Sequence, residues 1–173
     1  MSIVLDATCG YGIMWGEKRP NNYVGIDIRP EVIPTIIGDA KKLPIRDRIA
    51  RVVYLDPPHH IPAKGFWGNK KYGEGLSIAQ RRKLFVEVNK EFARTLDSDG
   101  LVIAKITNMP KNRGYSCQHM DEVLERELTN FKLIKKSTRP SKSYLKNEAT
   151  LNWMVFSKSA FMTESDSARK VRK

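Results

Sequence analysis

Short apolar runs recur along the first part of this chain, and each is followed by an aspartate or a turn residue. The runs cover residues 3–5, 23–28, 35–37 and 51–55. Buried strands typically read as brief apolar and β-branched stretches bounded by Gly, Pro, Asn and Asp. The pattern therefore predicts four strands whose ends present polar groups.

A helical spacing begins at Ser77. Ser77 and Gln80 have the spacing of a capping box, and apolar side chains then recur at helical intervals until Gly100. This pattern predicts an amphipathic helix packed on a sheet. The rest of the chain predicts a strand over residues 101–106, a helix over 119–129, and strands over 131–134 and 151–156.

Strands that alternate with crossover segments build parallel sheets, with the ligand outside the carboxyl ends of the strands. We therefore predict an α/β fold, a Rossmann-like, doubly wound and mostly parallel sheet of about seven strands. The last two strands are joined without a helix, so we expect a C-terminal antiparallel hairpin. The 173 residues suit one domain, which we place at residues 1–160, and we interpret residues 161–173 as a mobile basic tail.

The charge balance adds a functional expectation. The chain has a net charge of +12 at pH 7 and a calculated pI of about 9.8. Clustered Lys and Arg gain affinity for phosphate backbones by releasing counterions, so we expect a nucleic acid, RNA or DNA, as the partner. A basic surface that only keeps the protein soluble is the alternative interpretation.

Other compositional features exclude several classes of protein. No apolar run is long enough to span a membrane, and the N-terminus lacks a secretory signal, so we expect a cytoplasmic protein without a membrane partner. The two cysteines, Cys9 and Cys117, are far apart and match no zinc pattern. Neither a disulfide framework nor a metal site is predicted.

Three acidic residues stand at or just past strand ends, where a doubly wound sheet binds its ligand. They are Asp6, Asp27 and Asp39. A dinucleotide site would require a third glycine after the Gly10 and Gly12 turn, but Trp15 occupies that position, so NAD is not the expected ligand. An adenosine with a cationic sulfonium suits these carboxylates better. The alternative is that each aspartate only caps a helix or forms a turn.

Four segments in order carry a resemblance to a known family. DATCGYG, GIDIRPE, GDAKKLP and VVYLDPP resemble the successive motifs of class I S-adenosylmethionine-dependent methyltransferases. The resemblance implies that Asp6 and the glycine turn shape the methionine pocket, that Asp27 accepts the ribose hydroxyls, and that Asp39 and Ala40 meet the adenine. The implied cofactor-binding set is Asp6, Cys9, Gly10, Gly12, Asp27, Ile28, Asp39, Ala40 and Asp56.

A second resemblance concerns the catalytic end. Asp56, Pro57, Pro58 and His59 resemble the Asp/Asn-Pro-Pro-Tyr motif of methyltransferases that act on exocyclic amines. A carboxylate and a carbonyl that accept the two amine hydrogens leave the nitrogen lone pair free to attack. His59 replaces the aromatic residue that stacks on the base. The expected substrate-binding residues are His59, Phe66, Trp67, Lys70, Lys71 and Lys105.

This resemblance implies a base-amine methyltransferase. We expect RNA rather than DNA as its substrate, because the chain has no room for a separate recognition domain. Two alternatives stay open. Asp56, Lys105 and Glu148 resemble three members of the Lys-Asp-Lys-Glu tetrad of RNA ribose 2′-O-methyltransferases, although the first lysine of that tetrad has no counterpart here. The chain could also be a nucleic-acid-binding subunit with this fold that is inactive without a partner. A protein partner or a homo-oligomer stays open as well.

Overall fold

The computed structural model describes residues 2–16, 18–59, 75–108, 119–140 and 149–158. These residues form seven strands and two α-helices, with a 3-10 turn at Pro30–Val32. The strands are β1 (Ile3–Asp6), β2 (Tyr23–Asp27), β3 (Ile36–Ile37), β4 (Ala50–Leu55), β5 (Leu96–Asn108), β6 (Phe131–Pro140) and β7 (Thr150–Lys158). The helices are α1 (Ile78–Thr95) and α2 (Met120–Glu127).

The strands form one sheet in the order β3-β2-β1-β4-β5-β7-β6. β1 to β5 pair in parallel, whereas β7 pairs antiparallel with both β5 and β6. The predicted mostly parallel, Rossmann-like sheet with a C-terminal antiparallel hairpin is confirmed. The parallel strands bring the carboxyl ends of β1, β2, β4 and β5 to a single edge of the sheet, which is where the predicted site residues lie.

One face of the sheet carries the main hydrophobic core. Phe85, Val88 and Phe92 of α1 and Met120 and Leu124 of α2 are buried against it. Six strands contribute buried apolar side chains to this core, among them Leu5, Ile26, Val53, Val102, Phe131 and Phe156. Replacing one such phenylalanine by alanine typically costs about 3 to 5 kcal/mol, because a cavity remains.

Helix α1 begins as predicted. The Ser77 hydroxyl accepts a hydrogen bond from the Gln80 amide at 3.2 Å, and the Gln80 side chain accepts one from the Ser77 amide at 2.8 Å. This capping box satisfies two backbone donors that a helix start otherwise leaves unpaired. It also holds the chain that leads into α1, whose inward face includes Arg81.

Strands β5 and β6 extend furthest beyond the bounds that the apolar pattern predicted. β5 begins at Leu96 rather than at residue 101, because Leu96 both caps α1 and pairs with Ala50 before the register shifts. β6 continues to Pro140, since backbone pairing with β7 holds its exposed polar residues in the sheet. Backbone pairing does not require apolar side chains, so an edge strand can extend beyond its apolar run.

Several predicted features lie outside the described residues. They include Phe66, Trp67, Lys70 and Lys71 of the predicted substrate loop, Glu148, and the tail at residues 161–173. The single domain at residues 1–160 stays a prediction. Within the described part of the chain, neither helix has the length and apolar character needed to cross a bilayer.

Candidate active site

The carboxylate of Asp6 ends β1 and is almost completely buried, with 2% of the residue exposed. It accepts hydrogen bonds from the indole nitrogen of Trp15 at 2.7 Å, the hydroxyl of Tyr23 at 3.3 Å and the amide of Thr8 at 3.3 Å. Burial raises the pKa of Asp6 to about 6, and the nearby charge of Asp56 adds to this. All three donors are neutral, so they only partly offset the cost of burying a negative charge.

The glycine turn after β1 has the backbone geometry that its sequence predicted. Gly10 and Gly12 have positive φ angles of 49° and 67°, which L side chains rarely adopt. Cys9 ties the turn to β2 by donating its amide to the Ile26 carbonyl at 3.0 Å. Burial raises the pKa of the Cys9 thiol to about 12, so it is neutral and unsuited to nucleophilic chemistry.

Asp27 ends β2 beside this turn, and its carboxylate is fully engaged. The Gly10 amide donates to Oδ2 at 2.9 Å, and the Arg29 amide donates to Oδ1 at 3.0 Å. The Arg29 guanidinium adds contacts of 3.1 Å to Oδ1 and 3.3 Å to Oδ2. A carboxylate has about four lone-pair positions. Asp27 can therefore accept ribose hydroxyls only if the Arg29 side chain moves away.

The residues predicted to meet an adenine lie at the next strand ends. Asp39 follows β3 and its side chain is 44% exposed; the carboxylate is held by the Lys41 amide at 2.9 Å and the Lys41 ammonium at 3.2 Å. Ala40 is buried in the core, whereas Ile28 is 65% exposed. The sheet edge thus combines acceptor groups with an exposed apolar side chain, as a ribose and a purine ring require.

This donor and acceptor set fits S-adenosylmethionine. Because Gly10 has no side chain, its backbone lies directly beside Asp27, to which its amide donates. The Arg19 guanidinium fills the space that a side chain at Gly12 would occupy. The carboxylates at the ends of β1 and β2 suit a cationic sulfonium and ribose hydroxyls. At Asp27 the fit requires the Arg29 guanidinium to move.

The carboxylate of Asp56 is the centre of the second group of site residues. The Lys105 ammonium of β5 approaches Oδ2 at 2.6 Å, and the His59 imidazole approaches Oδ1 at 2.6 Å. Burial alone would raise the pKa of Asp56, but the contacts from His59 and Lys105 outweigh it and hold the pKa below its usual range. Asp56 is therefore ionised at neutral pH, and it can only accept hydrogen bonds.

His59 turns back onto the carboxylate three residues before it. Its Nδ1 accepts the Thr107 amide at 3.4 Å, so Nε2 carries the hydrogen that is donated to Asp56. Both ring nitrogens are thus used within the site. The predicted stacking of His59 on a base stays a prediction, and the structure adds a positioning role that the sequence pattern did not indicate.

The residues predicted to bind the cofactor and those predicted to act in catalysis lie directly beside each other. The Asp56 amide donates to the Thr8 hydroxyl at 2.8 Å, and the Ala7 amide donates to the Tyr54 carbonyl at 3.0 Å. Trp15 also packs edge-on against Tyr54, with 5.6 Å between the ring centroids. The turn after β1 and the end of β4 therefore form one site.

Arg81 is a site residue that sequence reasoning missed. It is 2% exposed and donates to the carbonyl of His59 at 2.7 Å and to that of Leu76 at 3.1 Å. Burial lowers the pKa of Arg81 to about 10, which leaves it charged at neutral pH. The available signal was a cation on the apolar face of α1, between Ile78 and Phe85.

Comparisons with known proteins support the fold. No protein-family model and no curated protein sequence matches this chain. Solved structures do match. An S-adenosylmethionine-dependent methyltransferase from Methanosarcina mazei is similar at 14% identity, with a TM-score of 0.62 and coverage of 90% of this chain and 91% of that one.

Two further structures show the range of similar proteins. TrmN from Thermus thermophilus is similar at 15% identity and a TM-score of 0.60; the match covers 91% of this chain but only 44% of TrmN. Geranyl diphosphate C-methyltransferase from Streptomyces coelicolor A3(2), in complex with S-adenosyl-L-homocysteine, is similar at 8% identity and a TM-score of 0.55, covering 91% of this chain and 71% of that one. The chain thus has the fold of class I S-adenosylmethionine-dependent methyltransferases.

Proposed function

We propose that this chain is an S-adenosylmethionine-dependent methyltransferase that methylates an exocyclic amine of a nucleic-acid base, with RNA preferred over DNA. The observation that supports this proposal best is the position and charge state of Asp56. Asp56 is ionised, and its amide is bonded to Thr8 of the turn after β1. A hydrogen-bond acceptor beside a cofactor-binding turn is what methyl transfer to an amine requires, because it orients the amine toward the methyl group.

The proposed cofactor would be held by the groups around the glycine turn, chiefly Asp6, Asp27 and the backbone of Gly10 and Gly12. When bound, it supplies an activated methyl group on a positively charged sulfur. The geranyl diphosphate C-methyltransferase structure, which is a complex with S-adenosyl-L-homocysteine, supports this choice of cofactor.

Asp56 retains capacity for the amine. Each carboxylate oxygen has about two lone-pair positions. Lys105 occupies one position on Oδ2, and His59 occupies one on Oδ1. An amine hydrogen can therefore bond to Asp56 without displacing either neighbour, and the Pro57 carbonyl is the proposed second acceptor. The amine nitrogen would gain the methyl group as the bond between that methyl and sulfur breaks, which would leave a neutral thioether, and the proton released from the nitrogen would pass to water.

The contact between Lys105 and Asp56 favours a second candidate function. A lysine beside an aspartate at the ends of β5 and β4 also matches the ribose 2′-O-methyltransferase alternative. In that reaction the lysine would take the proton of a hydroxyl, and it would first have to be neutral. The ionised carboxylate 2.6 Å away attracts the charged ammonium, which is why we rank this function second.

Transfer of labelled methyl from S-adenosylmethionine to bulk RNA, DNA and protein tests the proposal. Nucleoside analysis of the labelled material then identifies the methylated atom. A methylated base amine supports the proposal, and a 2′-O-methyl nucleoside favours the second candidate. Label only in protein, or no transfer with the cofactor bound, contradicts it.

The Lys105→Met variant separates the two candidates further. We expect a loss of about tenfold or less if Lys105 only positions Asp56, and a loss of about 10² to 10⁴ if it acts as the base. Lys90→Met is the matched control, because Lys90 is exposed on α1.

A further inference from the structure

Strand β6 carries three cations on the face of the sheet that also bears Lys105, the residue that contacts Asp56. Lys132, Lys135 and Arg139 are exposed, and we name these three residues the cationic edge. The sequences of β6 and β7 contain no Asp or Glu. This part of the sheet therefore presents positive charge without local compensation from its own strands.

Strand pairing places the cationic edge on the same face as Lys105. Lys105 pairs with Trp153, which pairs with Ser137 of β6. Two residues along each strand, Thr107 pairs with Leu151 and Leu151 with Arg139. Residues directly opposite each other in a sheet lie on the same face. Lys135 and Lys132 lie on this same face, because their partners Val155 and Ser157 alternate along β7 with the same two-residue period as Trp153 and Leu151.

On the opposite face of β6, a lysine is paired with a carboxylate. Lys136 pairs with the buried Met154, and its ammonium contacts the Asp121 carboxylate of α2 at 2.5 Å. Within the described part of the chain, no acidic side chain forms a salt bridge with a member of the cationic edge. The lysine on the helix-covered face is thus paired with a carboxylate, whereas the described residues provide no such partner for the cations on the face of Lys105.

The cationic edge begins close to the site. β7 runs antiparallel to both β5 and β6, so β6 runs in the same direction as β5. The Arg139 end of β6 therefore lies at the sheet edge where Asp56 and Lys105 are found. Adjacent strands are about 4.8 Å apart, so the backbone of Arg139 lies about 10 Å from that of Thr107. From Arg139 to Lys132 the strand extends for about 23 Å.

We propose that the cationic edge binds the phosphate backbone of the nucleic acid whose base enters the site at Asp56. This inference rests on the proposed function and deepens it. Phosphates bound on this face would fix the direction of the nucleic-acid chain relative to Asp56, because phosphate contacts set the position of a nucleic acid on a protein. The alternative is that these cations only protect an edge strand against pairing with other chains.

Binding of a short labelled single-stranded RNA, measured by fluorescence anisotropy at several salt concentrations, tests the inference. The test variant carries Lys132→Gln, Lys135→Gln and Arg139→Gln. The matched control carries Lys83→Gln, Lys90→Gln and Arg126→Gln, which also removes three positive charges but from exposed positions on α1 and α2. Circular dichroism of both variants checks that they are folded.

We expect the test variant to bind about tenfold or more weakly than the control. Its salt dependence should also fall, because each lost phosphate contact lowers the slope of log K against log salt by about 0.7 for a single strand. Equal binding by the two variants overturns the inference and leaves edge protection as the role of these cations.

Methyl transfer separates this inference from the proposed function. If the test variant binds and methylates RNA as the control does, the cationic edge is not the binding surface, while the proposed function stands. If the wild-type protein neither binds nor methylates nucleic acid, both fail. Loss of RNA binding in the test variant, with cofactor binding retained, supports the inference.

Discussion

Asp6 and Asp56 both follow apolar strands at the same edge of the sheet, and burial acts on both carboxylates, yet their pKa values move in opposite directions. Burial raises the pKa of Asp6 to about 6, because its partners Trp15, Tyr23 and Thr8 are neutral donors. Burial also acts to raise the pKa of Asp56, but His59 and Lys105 lower it below the usual range. A carboxylate at a strand end thus takes its chemical role from the partners that the fold places around it.

The largest effect is expected from Asp56→Ala. Removing the proposed acceptor should reduce methyl transfer by at least about a thousandfold, while cofactor affinity stays nearly intact. Radiometric transfer and calorimetric titration with S-adenosylmethionine measure the two quantities separately. Asp99→Ala, which removes an exposed carboxylate paired with Arg51, is the control. Loss of cofactor binding along with activity would contradict the role assigned to Asp56.

Folding raises the pKa of Asp6, so Asp6 should make the free energy of unfolding decrease as the pH rises. A carboxylate whose pKa is lowered by folding has the opposite effect. The pKa of Asp6 is higher in the folded protein than in the unfolded chain, so its stabilising contribution is present below about pH 4 and is lost as the pH rises to about 6. The loss should approach about 3 kcal/mol. Denaturant unfolding of the wild type and Asp6→Asn across this range measures it.

In the Asp6→Asn variant this pH-dependent loss should disappear. Asp39→Asn serves as the control, because the Asp39 side chain is 44% exposed. Parallel stability curves for the wild type and Asp6→Asn would show that Asp6 titrates as an exposed carboxylate does.

Asp27→Ala tests the cofactor end more directly. A hydrogen bond to a charged group contributes about 1.5 to 3 kcal/mol, so S-adenosylmethionine should bind about 10- to 100-fold more weakly. Isothermal titration calorimetry measures this affinity. If Asp27→Ala binds S-adenosylmethionine as tightly as the wild type does, Asp27 does not contact the ribose hydroxyls.

The smallest effect concerns Arg29, which engages the same carboxylate. If the guanidinium must leave Asp27 before the ribose hydroxyls bind, Arg29→Met should tighten cofactor binding about two- to fivefold. The same titration applies, with Arg46→Met as the exposed control. Weaker binding by Arg29→Met would show that Arg29 supports the cofactor rather than competing with it.

The elements of the fold were largely predictable from the sequence, but some boundaries were not. The apolar runs located each strand that the structure describes, and the Ser77 and Gln80 pair located the start of α1. The extensions of β5 to Leu96 and of β6 to Pro140 were missed, because backbone pairing with a neighbouring strand, and not apolar content, holds them.

The site was predictable in its parts and not in its connections. Motif order and strand ends pointed to Asp6, Asp27 and Asp56. The role of Arg81 could not be predicted from spacing, since Arg81 lies 22 residues from the His59 carbonyl that it binds. Trp15 and Arg29 are close in sequence to the carboxylates that they contact, but no motif pattern assigns them those partners.

The sequence by itself determined the order of strands and helices, the acidic strand ends and the excess of positive charge, because these depend on local residue patterns and on composition. Only the tertiary structure decided which groups meet. It brought Lys105 and His59 to Asp56, surrounded Asp6 with neutral donors, and placed three cations of β6 on the face of the sheet that bears Lys105. The contact between Lys105 and Asp56 joins residues far apart in the chain, and even the shorter-range contacts of Asp6 and Asp56 depend on strand pairing and burial for their geometry and electrostatics.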